Sequence, residues 1–537
     1  MKTKLLAVLI VGVMMVFTAC GSSNKTDTTA PGQTAIASST ATAGSGSIAY
    51  PITGAEGVTL TYWMPTNANA TKYVENYSDT EVWQEVMKRT GVKVEFIHPA
   101  TGQEKEQFNI MMASGDLPDI INGADWYSGG ELNGFNEGAY LDLTELVKTY
   151  APDYYREANA DTERTREFYS ENGIMSAFYR INVNAVPQVE RPLIRPDWLQ
   201  EFGMEDPVTL EQFETYMKKV KEIKNVSPFI PIIGDAKQKT QQEPWYGAFD
   251  MLPDWYVKDG VVKYGNAEPE LKNLLTWLAD MYIKGYISKD FPTMDMKQIM
   301  ADFNSGNTGM YVNSVDNGRS SAIAAGVPIA STKLPRVTID QKIHTGIQGW
   351  PKGGDVTAIT TACKNPQIAA QFLNYAFTKD GAMLYNYGIE GKTYTMVDGE
   401  PKYTDYMLNN PLYPTESANY ILRIHFAAKL QTETPLKFNP TIAKSPEAVE
   451  FRLKWTDDPN VDNAYRLPPI TLSQADSSER GKIMTNLNTY ADEMILRFIM
   501  GAEPLSNFDK YMDKIKGYGI DRAKEITQRA YDNYMSR

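Results

Sequence analysis

The sequence has little of what catalysis, disulfide-stabilised folding or nucleic-acid binding would need. Two cysteines, Cys20 and Cys363, occur in 537 residues. Cys20 stands in an N-terminal targeting pattern, so the body of the chain holds one thiol and an internal disulfide is excluded. Cys363 is expected to be a small buried apolar residue. The three histidines, His98, His344 and His425, are far apart and each reads as structural. The phosphate loop GxxxxGK[ST], the GxSxG elbow, HExxH and CxxC are all missing. Net positive charge is missing as well: 53 Lys and Arg against 66 Asp and Glu leave −13. That balance argues against nucleic acid or an anionic membrane surface as the main partner. No apolar run approaches the roughly 20 residues that span a bilayer.

What is present begins with that targeting pattern. Lys2 and Lys4 precede an apolar run over residues 5–17, and Thr18-Ala19-Cys20-Gly21 follows. The pattern is that of a signal peptide over 1–20. The small residues before Cys20 resemble the lipobox of bacterial lipoproteins, with Phe17 where leucine is usual. The resemblance implies cleavage before Cys20 and a diacylglycerol on its thiol, two acyl chains being enough for a durable anchor. Residues 21–50 are rich in Gly, Ser, Thr and Ala and read as a disordered tether. The rest, with 42% hydrophobic and 22% charged residues overall, is globular in composition and too long for one ordinary core.

The most informative stretch is 91–146. Val92, Val94 and Phe96 alternate with polar neighbours, a strand pattern. Residues 103–113 then place Phe108, Met111 and Met112 on one helical face, ended by Gly115. Asp116 and Pro118 mark a turn, and 119–122 begins a second strand. Strand–helix–strand is the unit of a parallel sheet, and the aromatic loop 123–138 lies beyond a strand's carboxyl end, where open α/β sheets bind ligands. Further on, residues 58–64 read as the first strand and Thr209-x-x-Gln212 as a helix capping box. The pattern predicts helices over 210–223, 271–286, 296–303, 366–378, 478–501 and 507–537.

Six segments carry a family resemblance: ASGDLPDI (113–120), AYLDLTELV (139–147), LIRPDWLQEFGM (193–204), GNTGMYVNS (306–314), KNPQIAAQFLNYAF (364–377) and YGIEGKTYT (387–395). In this order they resemble the extracellular solute-binding proteins of bacterial ABC importers, family 1, and within it the large lipoprotein subgroup associated with oligosaccharides. The resemblance implies an α/β, two-lobed periplasmic-binding-protein-like fold of type II with lobes joined by hinge strands. Lobe I is expected over 57–185 and 320–390, lobe II over 186–319 and 391–537. It implies no enzymatic activity, an oligosaccharide ligand, ABC permease transmembrane subunits as partners, and a monomer lipid-anchored on the extracellular face of the cell membrane. A peptide or other small-solute receptor of the same fold and a surface glycan-active enzyme are the alternative readings.

The residues suggest how a sugar would be held. An aromatic ring stacks on the apolar C–H face of a sugar while Asp, Asn or Arg hydrogen-bonds its hydroxyl rim. Nine Trp and 32 Tyr supply the rings. The expected ligand contacts are Trp63 at the end of the first strand, Asn122, Asp125, Trp126 and Tyr127 after the next, and Arg180 near the hinge. Trp245, Tyr246 and Trp255 are expected to contribute from lobe II, Trp245 from a loop, and Trp350 from a glycine-rich loop; core packing is the competing expectation for each tryptophan. Asp116 and Asp119 read as turn residues. The loop 457–463 spaces its oxygens as calcium loops do but lacks their sharp-turn glycine and distal glutamate. No cofactor is expected, and a structural calcium stays open.

Overall fold

The structure, a computed structural model, describes residues 47–183, 190–235, 239–346, 351–432 and 458–537. The signal peptide, Cys20, most of the tether and Trp350 lie outside the described residues.

Strands are β1 Thr59–Trp63, β2 Lys93–Ile97, β3 Ile120–Asn122, β4 Ile181–Asn182, β5 Arg191–Ile194, β6 Ser227–Ile230, β7 Trp255–Lys258, β8 Val261–Tyr264, β9 Thr308–Asn313, β10 Ala330–Ser331, β11 Ile343–His344 and β12 Thr357–Ile359. One four-stranded sheet runs β12-β3-β1-β2. Its β1, β2 and β3 are parallel and β12 is antiparallel to β3. A second runs β10-β5-β9-β6. Each sheet has its own apolar core. One gathers Leu60, Trp83, Val94, Ile121, Phe178 and Phe372, the other Leu193, Phe213, Trp245, Leu274, Tyr311 and Ile495.

Local sequence explains the elements of the first sheet. Lys93, Glu95 and Ile97 face out while Val94 and Phe96 are buried, so the alternation seen in the sequence is the pleat. The preceding helix, Glu81–Thr90, turns Val82, Trp83 and Val86 inward and stops at Gly91 in the left-handed region, φ 74°. In the second lobe, both halves of the Thr209–Gln212 capping box form. The expected helix over 507–537 is two, Phe508–Gly517 and Ile520–Met535, broken at Gly519.

The lobe assignments expected from the sequence need two corrections. Residues 320–346 belong with the second sheet: β10 pairs with β5, and Thr332 N–H donates to Pro192 O at 3.0 Å. Residues 391–432 belong with the first, through Ile424, Ala427 and Ala428 in its core and a satellite cluster of Ala70, Met407, Ala418, Ile421 and Leu422. Among the described residues the chain thus changes lobe three times, between 183 and 190, between 346 and 351 and between 432 and 458. The first-lobe ends of the crossings lie side by side: β4 pairs in parallel with Leu430–Gln431, and Asn182 N–H donates to Pro351 O at 2.8 Å.

Candidate functional site

A cavity of about 280 Å³ lies at the edge of the first sheet, lined by Pro65, Thr66, Asn67, Ala68, Asn122, Gly123, Asp125, Trp126, Asp355, Val356 and Phe426. The residues arrive from three places. Pro65–Ala68 follow β1, Asn122–Trp126 follow β3, and Asp355–Val356 precede the antiparallel β12, so all meet at the carboxyl ends of the parallel strands. Phe426 comes from the approach to the third crossing. The cavity therefore sits where open α/β sheets bind ligands, near the second and third crossings.

Trp126 is its aromatic wall. Gly123 and Ala124 N–H both donate to Val356 O, at 2.8 and 3.1 Å, and fold the loop back over the sheet. The Trp126 indole then lies against Gly123, where an added Cβ would meet the ring at 3.3 Å. Its edges rest on Trp63 and Phe108, with ring centroids 5.7 and 6.0 Å away. Asn122 is buried and donates through Nδ2 to Thr357 Oγ1 at 3.2 Å. Asp355 adopts φ 59°, a conformation uncommon outside glycine, and accepts from Arg180 Nη1 at 2.7 Å. Burial raises its carboxyl pKa, with Arg180 and Lys429 opposing. A Cβ at Gly353 would stand 2.8 Å from Arg180 Nε, so glycine there gives the guanidinium room. Phe426 stacks on Tyr420 at 5.6 Å.

Of the ten expected ligand contacts, Asn122, Asp125 and Trp126 line this cavity, and Arg180 acts behind it through Asp355. Five others do not line it. Trp63 is 2% exposed and lies beneath Trp126 as support. Tyr127 points elsewhere, donating its hydroxyl to Glu137 Oε2 at 2.6 Å. Trp245 and Tyr246 are fully buried. They sit on the helix Lys239–Gly247, where a loop was expected: Trp245 stacks on Trp277 at 5.3 Å, and Tyr246 donates to Asn266 Oδ1 at 2.7 Å. Trp255 opens a hairpin and packs on Tyr264, its cross-strand partner, at 4.9 Å. Trp350 lies outside the described residues. Thr66, Asn67, Asp355 and Phe426 were not singled out from the sequence. The signal for Asp355 was the Gly353-Gly354 pair before it, which permits an unusual backbone.

Two histidines are accounted for by partners. His98 accepts from Tyr77 N–H at 3.0 Å through Nε2, which leaves Nδ1 to donate to Met64 O at 2.7 Å. His344 pairs through Nδ1 with Asp462 Oδ1 at 2.6 Å. Asp462 also accepts from Ala464 N–H at 3.0 Å, and Asp458 pairs with Arg336. The Asp458 and Asp462 carboxylates are thus engaged by Arg336, His344 and a backbone amide, while Asp457 lies outside the described residues. Among the described residues, no group of three or more His, Cys, Asp or Glu is placed to hold a metal ion.

Glu167 ties a helix to the segment after the second crossing by accepting from Lys352 N–H at 2.9 Å. Burial pushes its carboxyl up to about 7, and burial does the same to Glu243, also to about 7, which accepts from Gly346 N–H at 2.8 Å. A carboxyl whose folded pKa exceeds its unfolded value binds more protons when folded, so stability falls as pH rises from the ordinary glutamate range through 7. Glu167→Gln and Glu243→Gln should each raise unfolding stability by about 1–3 kcal/mol at pH 8. Near pH 4 the difference should vanish. Urea titrations at the two pH values measure it.

A two-lobed α/β chain with a small cavity beside its crossings is the architecture of a binding protein that closes on a solute. Residues 70–383 match the model of the bacterial extracellular solute-binding protein family, and the chain belongs to that family. It is a binding protein and not an enzyme. Among curated proteins it is 24% identical to the polygalacturonan/rhamnogalacturonan-binding protein YtcQ of Bacillus subtilis, over 83% of this chain and 86% of that one. It is 21% identical to the fructooligosaccharide ABC transporter substrate-binding protein FusA of Streptococcus pneumoniae, over 85% and 87%. Among solved structures it resembles an HMO-binding, ABC-transporter-associated solute-binding protein of Bifidobacterium longum infantis, with a TM-score of 0.68 at 14% identity, covering 89% of this chain and 99% of that one. The type II two-lobed fold is thereby shown.

Proposed function

We propose that the chain is a membrane-tethered substrate-binding protein of an ABC importer that captures an oligosaccharide at the Trp126 cavity. The carrying observation is the pairing of an aromatic plate, Trp126, with Asn122, Asp125 and Asp355 at the carboxyl ends of the parallel strands. A ring can stack on the indole while its hydroxyls bond the amide and carboxylates. Because its lining includes Asp355, next to the second crossing, and Phe426, before the third, closure of the second lobe over it would add contacts absent in the open form. The ligand would favour the closed state by that difference in affinity, and permease subunits would read that state. The names of YtcQ, FusA and the Bifidobacterium protein support a glycan ligand. A diacylglycerol at Cys20 would hold the monomer at the outer membrane face; membrane fractionation of a Cys20→Ser variant tests the anchor.

Calorimetric titration against panels of oligosaccharides and peptides tests the ligand class. Trp126→Ala should weaken oligosaccharide binding by about thirtyfold, the loss of one central aromatic contact. Tight binding of a peptide with no response to any sugar would refute the reading.

A further inference from the structure

We propose that the Trp126 cavity selects a neutral sugar residue and rejects a uronate, a refinement that rests on the oligosaccharide reading above. The charged side chains that line it are both carboxylates, Asp125 and Asp355; among the described residues no lysine or arginine lines it. The remaining polar lining is Thr66, Asn67 and Asn122, which suits hydroxyl groups.

Among the described residues, Lys105 acts on Asp125 from outside the lining, and four other nearby cations are engaged elsewhere. Arg180 donates to Asp355 at 2.7 Å. Lys352 lies 3.8 Å above the Tyr179 ring and 3.5 Å from Glu131. Lys429 is buried behind Asp355 and donates to the carbonyl of Ile424 at 2.8 Å. Arg423, also buried, donates to the Tyr403 hydroxyl at 2.8 Å. Of these, Arg180 and Lys429 balance Asp355 from outside the lining.

Three backbone amides of the β3 loop, a common kind of anion ligand, are committed as well. Gly123 and Ala124 N–H are both held by Val356 O, at 2.8 and 3.1 Å, and Trp126 N–H by Gly123 O at 2.9 Å. A uronate carboxylate entering here would meet like charge with only neutral hydroxyl and amide donors to offset it, which disfavours it in a partly desolvated pocket. A sugar hydroxyl donating to either aspartate would instead form a charge-assisted hydrogen bond. The inference separates this chain from YtcQ, whose name includes polygalacturonan.

The experiment is isothermal titration of the full chain at pH 7.5 with neutral oligomers (kestose, maltotriose, xylotriose, mannotriose) and acidic ones (trigalacturonate, trimannuronate). At least one neutral oligomer should bind about a hundredfold more tightly than either acidic one. Asp125→Asn, at an exposed position, should weaken the neutral ligand about tenfold by removing a charge-assisted hydrogen bond. The same substitution should narrow the gap between the two classes. Circular dichroism confirms that the variant folds. A uronate binding as well as the best neutral oligomer, or a gap unchanged in Asp125→Asn, overturns the selectivity and leaves the oligosaccharide reading standing. Failure of every sugar where a peptide binds overturns both.

Discussion

Trp245→Ala should lower the unfolding free energy by about 3–5 kcal/mol, the range for deleting a large aromatic side chain from a core. The indole is 0% exposed and packs on Trp277, Phe229 and Phe213 at 5.3, 5.0 and 5.5 Å. The neighbours are rings on separate elements and cannot collapse into the space together, so the cavity term should be near its upper end. Trp245→Phe should cost far less. It keeps most of the packing and removes Nε1, a buried donor without a partner among the described residues. Denaturant titration measures both. The prediction also separates two roles for this residue. A ring at the sugar surface would lose affinity on truncation with little change in stability; a core ring does the reverse, and Trp245→Phe should bind ligand as the parent does.

The placement of Trp245 shows where sequence reasoning reached and where it stopped. Residues 91–122 were legible because short-range chemistry decides them. Alternation sets β2, the Phe108 face sets the helix, and Gly115 at φ 72° ends it. The same holds for the capping box at Thr209, whose two hydrogen bonds lie within four residues. The segment 239–247 misled because Lys239-Thr-Gln-Gln-Glu-Pro244 is polar and interrupted by proline, which reads as a loop. Packing against the Trp277 helix overrides that preference, leaving Pro244 inside a helix.

The lobe assignments failed for a related reason. Residues 327–346 are mostly loop with two short strands and carry no period, so nothing local says which sheet they will join; one β10–β5 pairing decides it. The candidate site divides along the same line. Asn122, Asp125 and Trp126 follow one strand and were legible from its carboxyl end. Asp355 and Phe426 reach the same cavity from more than 200 residues away in sequence, a convergence that only the assembled sheet creates. Trp63 shows the remaining ambiguity: its position at a strand end was read correctly, but whether such a ring faces the ligand or supports the ring that does depends on the packing of Phe108 and Trp126.

Asp458→Asn should cost about 3–5 kcal/mol at neutral pH, because it leaves Arg336 charged and unpaired in the interior. The two side chains form an ion pair that is 2% exposed on each side, and Arg191 nearby makes an uncompensated Arg336 worse by like-charge repulsion. Burial alone would raise the Asp458 carboxyl, but the bond from Arg336 outweighs it and holds the pKa below the usual range. The pair's contribution is therefore complete above the ordinary aspartate pKa and is lost as pH falls through the depressed folded value, so the variant and parent should converge in acid. An Arg336→Met/Asp458→Leu double variant should recover most of the loss, since apolar packing can replace a buried pair while half a pair cannot be borne. The consequence reaches binding, because Asp458 lies on the second lobe in the first described stretch after the third crossing. Arg336 N–H donates to Val208 O at 3.1 Å, and its own carbonyl accepts from Leu210 N–H at 2.9 Å, so the pair fastens that landing point to the second lobe. With the pair cut, the crossing would be anchored less firmly, and ligand affinity should fall in Asp458→Asn but return in the double variant.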